Sequence, residues 1–318
     1  MSDALVLRDV TKRYAGHTAV ERLSLDVPVS CIYGILGPNG AGKSTTLRMV
    51  MNILSRDGGT ISLLGRDPAA VRGALARVGY LPEERGLYRK MKVIDVVVFF
   101  AQLKGVGAAD ARRDGRQWLE RFGLGDWIDA KVDTLSKGMQ QKVQFVTTVL
   151  HRPELLILDE PHAGLDPVNQ EVLRDTILQA KADGKTVILS THNMSEAERM
   201  CDAVCIIAGG RKVLEGRVSE LRRAHRGGRF YIEFDERDET IDQFMRVNPH
   251  FAEAEPRGGG WEIELRPGIE TRALIAELNG LAVPVAHFEH LQPTLHDIFV
   301  AHVTGATQAT RRPEPTHA

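Results

Sequence analysis

The run Gly37-Pro38-Asn39-Gly40-Ala41-Gly42-Lys43-Ser44-Thr45 fits G-x4-G-K-S/T, and Thr46 follows it. Its glycines let successive backbone N–H groups turn toward phosphate oxygens. Lys43 is then placed to reach the β and γ phosphates of a nucleotide, and Ser44 to ligate magnesium. A second segment, Leu155-Leu156-Ile157-Leu158-Asp159-Glu160, is an apolar run ending in two carboxylates. Alone, it reads as a strand that ends in solvated acids. Downstream of a phosphate loop, Asp159 can orient the magnesium shell and Glu160 can polarise the water that attacks the γ-phosphate. The phosphate loop by itself still fits kinases, GTPases and many ATPases.

These residues act together only if the chain brings them to one edge of one sheet. Cys31–Leu36 is a buried-strand candidate before the glycine-rich loop. After the loop, Leu47, Val50, Met51 and Leu54 recur at helical spacing, and Asp57-Gly58-Gly59 reads as a turn. Further strands are expected at Ala4–Val10, Leu23–Val27, Leu155–Leu158, Thr186–Leu189 and Val204–Ile207, with helical patterns after Asn169 and Ser195. That alternation implies an α/β fold with a mainly parallel sheet, whose carboxyl edge is where ligands bind. Three helices, Val93–Lys104, Ala109–Phe122 and Ser136–Leu150, form a helical insertion spanning about 90–150.

The composition changes at Leu221–Arg229, LRRAHRGGR, a basic, glycine-containing linker. Beyond it, strands at Phe230–Phe234, Trp261–Leu265 and Val283–Phe288 and helices at Glu270–Leu278 and Leu295–His302 make a small α+β unit. From Gly305 the apolar pattern is lost and a disordered tail is expected. The expected division is therefore 1–220, linker 221–229, 230–304 and tail 305–318.

Leu135-Ser136-Lys137-Gly138-Met139 narrows the chemistry. Ser136 is a good N-cap for the helix through Leu150, so its hydroxyl, the Gly138 N–H and the helix dipole can all face an anion. The apolar positions Val143, Val146 and Leu150 of that helix are core in any case. Together with the phosphate loop and the acidic strand, this segment resembles the signature of ABC ATPases, departing from Leu-Ser-Gly-Gly-Gln at Lys137 and Met139. The resemblance implies a P-loop ABC ATPase domain with a mainly parallel central sheet, an antiparallel β subdomain and a helical insertion, plus the small α+β C-terminal domain. It implies ATP and Mg2+ as cofactors, and it implies that the signature meets the γ-phosphate held by a second subunit.

Further segments are similar to the same family. Ala163-Gly164-Leu165-Asp166 resembles the loop lining the dimer seam, and Ser190-Thr191-His192 the segment whose histidine contacts the γ-phosphate and the attacking water. Tyr14 fits the aromatic that stacks on adenine, with a packing role as the alternative. In Gly79-Tyr80-Leu81-Pro82-Glu83-Glu84, Glu83 stands where the family usually has glutamine; it can still bind magnesium or water but cannot donate as an amide does. His162, directly after Glu160-Pro161, receives no role. Tyr80–Val93 and the segment Pro293–Phe299 resemble exporters whose membrane subunits are separate ABC-2-type polypeptides, including sodium-extruding and drug-exporting systems.

The 41 Lys+Arg against 42 Asp+Glu give no basic surplus with which to coat nucleic acid, so no nucleic-acid partner is expected. Cys31, Cys201 and Cys205 are too few for a disulfide framework and read as reduced thiols. The N-terminal residues carry no signal-peptide pattern, and Val96–Ala101 falls far short of a membrane span. A partner must therefore supply any transmembrane path, with this chain bound peripherally at the cytoplasmic face. One phosphate loop and one signature require pairing with a second copy of the chain or with a related ATPase subunit. The second class of reading is a soluble single-unit ABC ATPase in a process such as iron–sulfur assembly, and the third is a nucleotide-dependent regulator without useful hydrolysis.

Overall fold

A computed structural model describes residues 3–309, apart from 72, 85, 237, 238 and 282. The chain divides into two compact units, Met1–Val218 and Ser219–Ala318.

In the first unit, β1 (Asp3–Tyr14), β2 (His17–Pro28) and, after β3 (Ile32–Leu36) and α1 (Lys43–Val50), β4 (Gly58–Leu63) form an antiparallel sheet in the order β2-β1-β4. Gly58 and Gly59, expected in a turn, instead open β4, where Gly58 pairs with Thr11. The left-handed φ of Gly59 absorbs the bend there. Next come β5 (Val78–Leu81), the insertion helices α2 (Val93–Leu103), α3 (Ala108–Arg121) and α4 (Lys137–Val149), then β6 (Leu155–Asp159), α5 (Pro167–Ala182), β7 (Thr186–Thr191), α6 (Met194–Met200), β8 (Ala203–Ala208) and β9 (Arg211–Arg217).

The central sheet has the order β5-β6-β7-β3-β8-β9, parallel except for β9. Strands β3, β6 and β7 are buried at every position, as expected of parallel strands covered on both faces. Because β6, β7 and β3 are neighbours, their carboxyl ends set Asp159, Thr191 and Gly37 side by side although they lie far apart in sequence. That adjacency builds the site.

Helix α7 (Val218–Ala224) occupies the first part of the stretch expected to be a linker. The second unit contains β10 (Arg229–Phe234), α8 (Glu239–Val247), β11 (Phe251–Arg257), β12 (Gly260–Leu265), α9 (Thr271–Asn279), β13 (Val285–His290) and α10 (Leu295–Ala309). Its antiparallel sheet has the order β11-β12-β10-β13, with a core that includes Phe230, Ile232, Met245, Trp261, Ile263, Leu274 and Leu278. Helix α10 runs to Ala309, into the segment expected to lack structure; the rest of that expectation, 310–318, lies outside the described residues.

Candidate functional site

The phosphate loop joins β3 to α1. Gly42 is the N-cap of α1 at φ 104°, and a Cβ there would lie 2.4 Å from the Ala19 carbonyl oxygen, so both backbone conformation and space demand glycine. Residues Asn39–Thr45, with Tyr14, His17, Ala19, Glu83 and Glu160, line a cavity of about 280 Å³. Gly37 and Pro38 do not line it; their carbonyls instead accept from Lys43 Nζ at 2.8 and 3.2 Å. Thr46 is fully buried, and its hydroxyl donates to the Gly42 carbonyl at 2.9 Å.

Both carboxylates at the end of β6 turn toward this loop. Ser44 Oγ donates to Asp159 Oδ1 at 3.1 Å, and the Ser190 hydroxyl donates to the same oxygen. Among the described residues, Asp159 Oδ2 is buried with no hydrogen-bond partner. Burial pushes the Asp159 carboxyl above the usual range; the two serine hydroxyls oppose that, and the charges of Glu83 and Glu160 add to it. Such a group favours a cation. Glu83 Oε2 lies 3.5 Å from Ser44 Oγ, so Ser44, Glu83 and Asp159 present oxygen donors around one point.

Glu160 adopts a left-handed φ of 47°, a conformation that costs a non-glycine residue about 1–2 kcal/mol. Its backbone N–H is held by the Ser190 carbonyl and hydroxyl, each at 3.1 Å. The carboxylate faces Lys43 Nζ at 3.4 Å through Oε1 and His192 Nδ1 at 3.0 Å through Oε2. His192 is the more exposed partner, its side chain 59% accessible against 11% for Glu160. A base held between a cation and an imidazole at the mouth of a phosphate loop can orient a water for in-line attack.

Tyr14 is 45% exposed, with His17 stacked on its ring at 5.6 Å between centroids and Lys12 Nζ 5.6 Å from the ring centroid. The signature residues do not line this cavity. Ser136 is exposed and caps α4 by accepting from Met139 N at 3.2 Å. Leu135 is buried, Lys137 exposed, and a Cβ on Gly138 would come within 2.8 Å of the Gly164 carbonyl oxygen. Asp166 caps α5, accepting from Asn169 N at 3.0 Å, and this contact lowers its carboxyl pKa.

Three contributors, of which only Ser190 lies within a segment singled out from sequence, received no role of their own there. The hydroxyl of Ser190 clasps Asp159 and Glu160 together. His17 stacks on the Tyr14 ring and lines the same cavity. Gln144 of α4 is 4% exposed, and its Nε2 donates to the Pro82 and Glu84 carbonyls at 3.3 and 3.2 Å, tying the segment that carries Glu83 to the signature helix. Nothing in the sequence marks it, because its helix neighbours Gln140, Gln141, Thr147 and Thr148 are polar too. Beside Gln144 lies a mainly apolar groove of about 590 Å³, lined in part by Ile53, Tyr80, Leu87, Phe100 and His151. Among the described residues no helix is long and apolar enough to cross a membrane.

Comparison with known proteins finds the ABC transporter family model matching residues 20–163, and the model for the C-terminal domain of DrrA1-3-like ATP-binding proteins matching 216–303. The uncharacterized ABC transporter ATP-binding protein YhaQ of Bacillus subtilis (strain 168) is 39% identical over 300 residues, covering 94% of this chain and 98% of the relative. The Nod factor export ATP-binding protein I of Burkholderia orbicola (strain AU 1054) is 41% identical over 210 residues, 66% of this chain and 69% of that one. A solved ATP-binding subunit of an ABC transporter superposes with a TM-score of 0.65 at 31% identity, covering 70% of this chain and 92% of its own.

Proposed function

The chain belongs to the family of ABC transporter ATP-binding proteins and is an ATP-binding, ATP-hydrolysing transport subunit; from that premise we propose that it energises an exporter whose membrane path is built from separate ABC-2-type subunits. The observation that carries the chemistry is the convergence of Lys43, Ser44, Asp159, Glu160 and His192 at the carboxyl edge of β3, β6 and β7. Export is supported by the DrrA-like second unit and by the export protein among the relatives.

The donor set fits magnesium. It is oxygen only, and Asp159 Oδ2 is a buried acceptor without a partner. Among the described residues there is no cluster of three or more carboxylate, imidazole or thiolate ligands, so the ion would complete its shell with nucleotide phosphate oxygens, as Mg2+ usually does. Ser44, Glu83 and Asp159 would hold it, and when bound it neutralises charge on the β and γ phosphates. Backbone N–H groups of Asn39–Thr45 cradle the phosphates, Lys43 reaches across them, and Tyr14 stacks on the base. Thr46 supports the loop from behind. Glu160 orients and polarises the attacking water, with His192 holding its Oε2.

Signature residues Leu135–Met139 face a second copy of the chain, where Ser136 and Gly138 meet the γ-phosphate of the opposite site and Asp166 lines the seam. ATP then favours the closed pair through its differential affinity for that state. In this reading the membrane partner docks on the helical insertion, with the chain bound peripherally at the cytoplasmic membrane face. Affinity isolation from detergent-solubilised membranes tests the reading: recovery of a multi-span protein is expected, and recovery of soluble partners alone would contradict it.

A further inference from the structure

His162 stands two residues beyond Glu160, on the segment leaving β6, and its side chain is only 11% exposed. Its Nδ1 lies 3.0 Å from Oε2 of Glu196, in the first turn of α6. That contact, ahead of the opposing effect of burial, holds the Glu196 carboxyl below the usual range. The space around the pair is small, about 50 Å³, and is lined by Gln170, Glu171, Arg174 and Arg199 among others.

Two histidine–carboxylate contacts thus cross between the same two pieces of chain. Glu160 at the end of β6 meets His192 just beyond β7, and His162 after β6 meets Glu196 four residues beyond His192. The second contact, a close approach in which His162 Nδ1 makes no aligned hydrogen bond, joins the segment after β6 to the turn that follows His192. Asn193, the residue after His192, is the N-cap of α6: its side chain accepts from Glu196 N at 3.3 Å, and its own N–H donates to Thr191 Oγ1 at 3.0 Å. Helix α6 has only seven residues, too few to hold its first turn by its own hydrogen bonds, so a tertiary anchor there sets where His192 can sit.

We infer that His162 is a positioning residue of the hydrolytic site, acting through Glu196 to hold the α6 turn, and with it His192, in register with Glu160. The inference rests on the reading of Glu160 and His192 as the hydrolytic pair.

The test is a double-mutant cycle of His162→Gln and Glu196→Gln, with kcat and KM for Mg-ATP and nucleotide affinity measured on the same preparations. Each single variant is expected to lower kcat about tenfold, the scale of a small displacement of a reacting group, with KM within about twofold of the parent. The double variant should fall no further than the worse single one, because both remove one contact. If Glu196→Gln does not fold, Glu196→Asp keeps the charge, withdraws it by one methylene and should show the same split. Parental kcat in the single variants, independent multiplication of the two losses, or loss of nucleotide affinity in step with kcat would each overturn the inference. Glu160→Gln, run in parallel, separates the two layers. If it is inactive while the His162 variants turn over normally, the inference alone fails; if it turns over normally, the catalytic reading beneath it fails.

Discussion

Asp159 is buried with one oxygen bonded by two hydroxyls and the other by nothing, so its charge is tolerated best when a cation arrives. Ser190 is the group that makes this work, since one hydroxyl donates to Asp159 while accepting from the Glu160 backbone. Ser190→Ala should therefore raise the magnesium concentration needed for half-maximal ATPase activity and lower kcat by about tenfold, the usual scale for a residue that orients a metal ligand. A magnesium titration of ATPase rate checks it. Asp159 and Glu160 stood out as candidates because their apolar run lies downstream of a phosphate loop, and His192 because it follows another apolar strand candidate. Ser190 was named only as part of that segment. A serine at a strand end has no pattern of its own, and its importance comes from the β6–β7 register, which sequence does not display.

At the scale of elements, α4 links two parts of the proposed machine. Its N-terminus carries Ser136 and Gly138, and one side chain further along, Gln144, holds the carbonyls on either side of Glu83. Gln144→Leu keeps the volume but leaves those two carbonyls unpaired, a cost of roughly 1–3 kcal/mol. The expected outcome is a lower thermal midpoint and a reduced ATPase rate with little change in nucleotide affinity, checked by calorimetry and equilibrium nucleotide titration. The helices of the insertion were readable from periodicity, and β3, β6 and β7 from continuous apolar runs. Strand β9, RKVLEGR, and strand β11, FAEAEPR, escaped because they are polar edge strands, formed by pairing with β8 and β12 rather than by burial of their own side chains. Helix α8, with Ile241 and Met245 as its buried positions, was not expected from sequence.

For the whole molecule, the family was legible because separate motifs occurred in an order that one sheet can assemble, with order β6-β7-β3 bringing them together. What the sequence could not supply was the contacts across that assembly, such as Glu160 lying between Lys43 and His192. The signature residues do not line the cavity of the chain's own phosphate loop; in the proposed reading a second subunit completes the site, and hydrolysis by Glu160 reopens the pair. Hydrolysis by Glu160→Gln with saturating Mg-ATP, measured alongside its oligomeric state, probes that claim most directly. The account predicts retained ATP binding, turnover reduced by about 100-fold or more, the scale of a lost general base, and accumulation of a stable dimer. Turnover at the parental rate would contradict it.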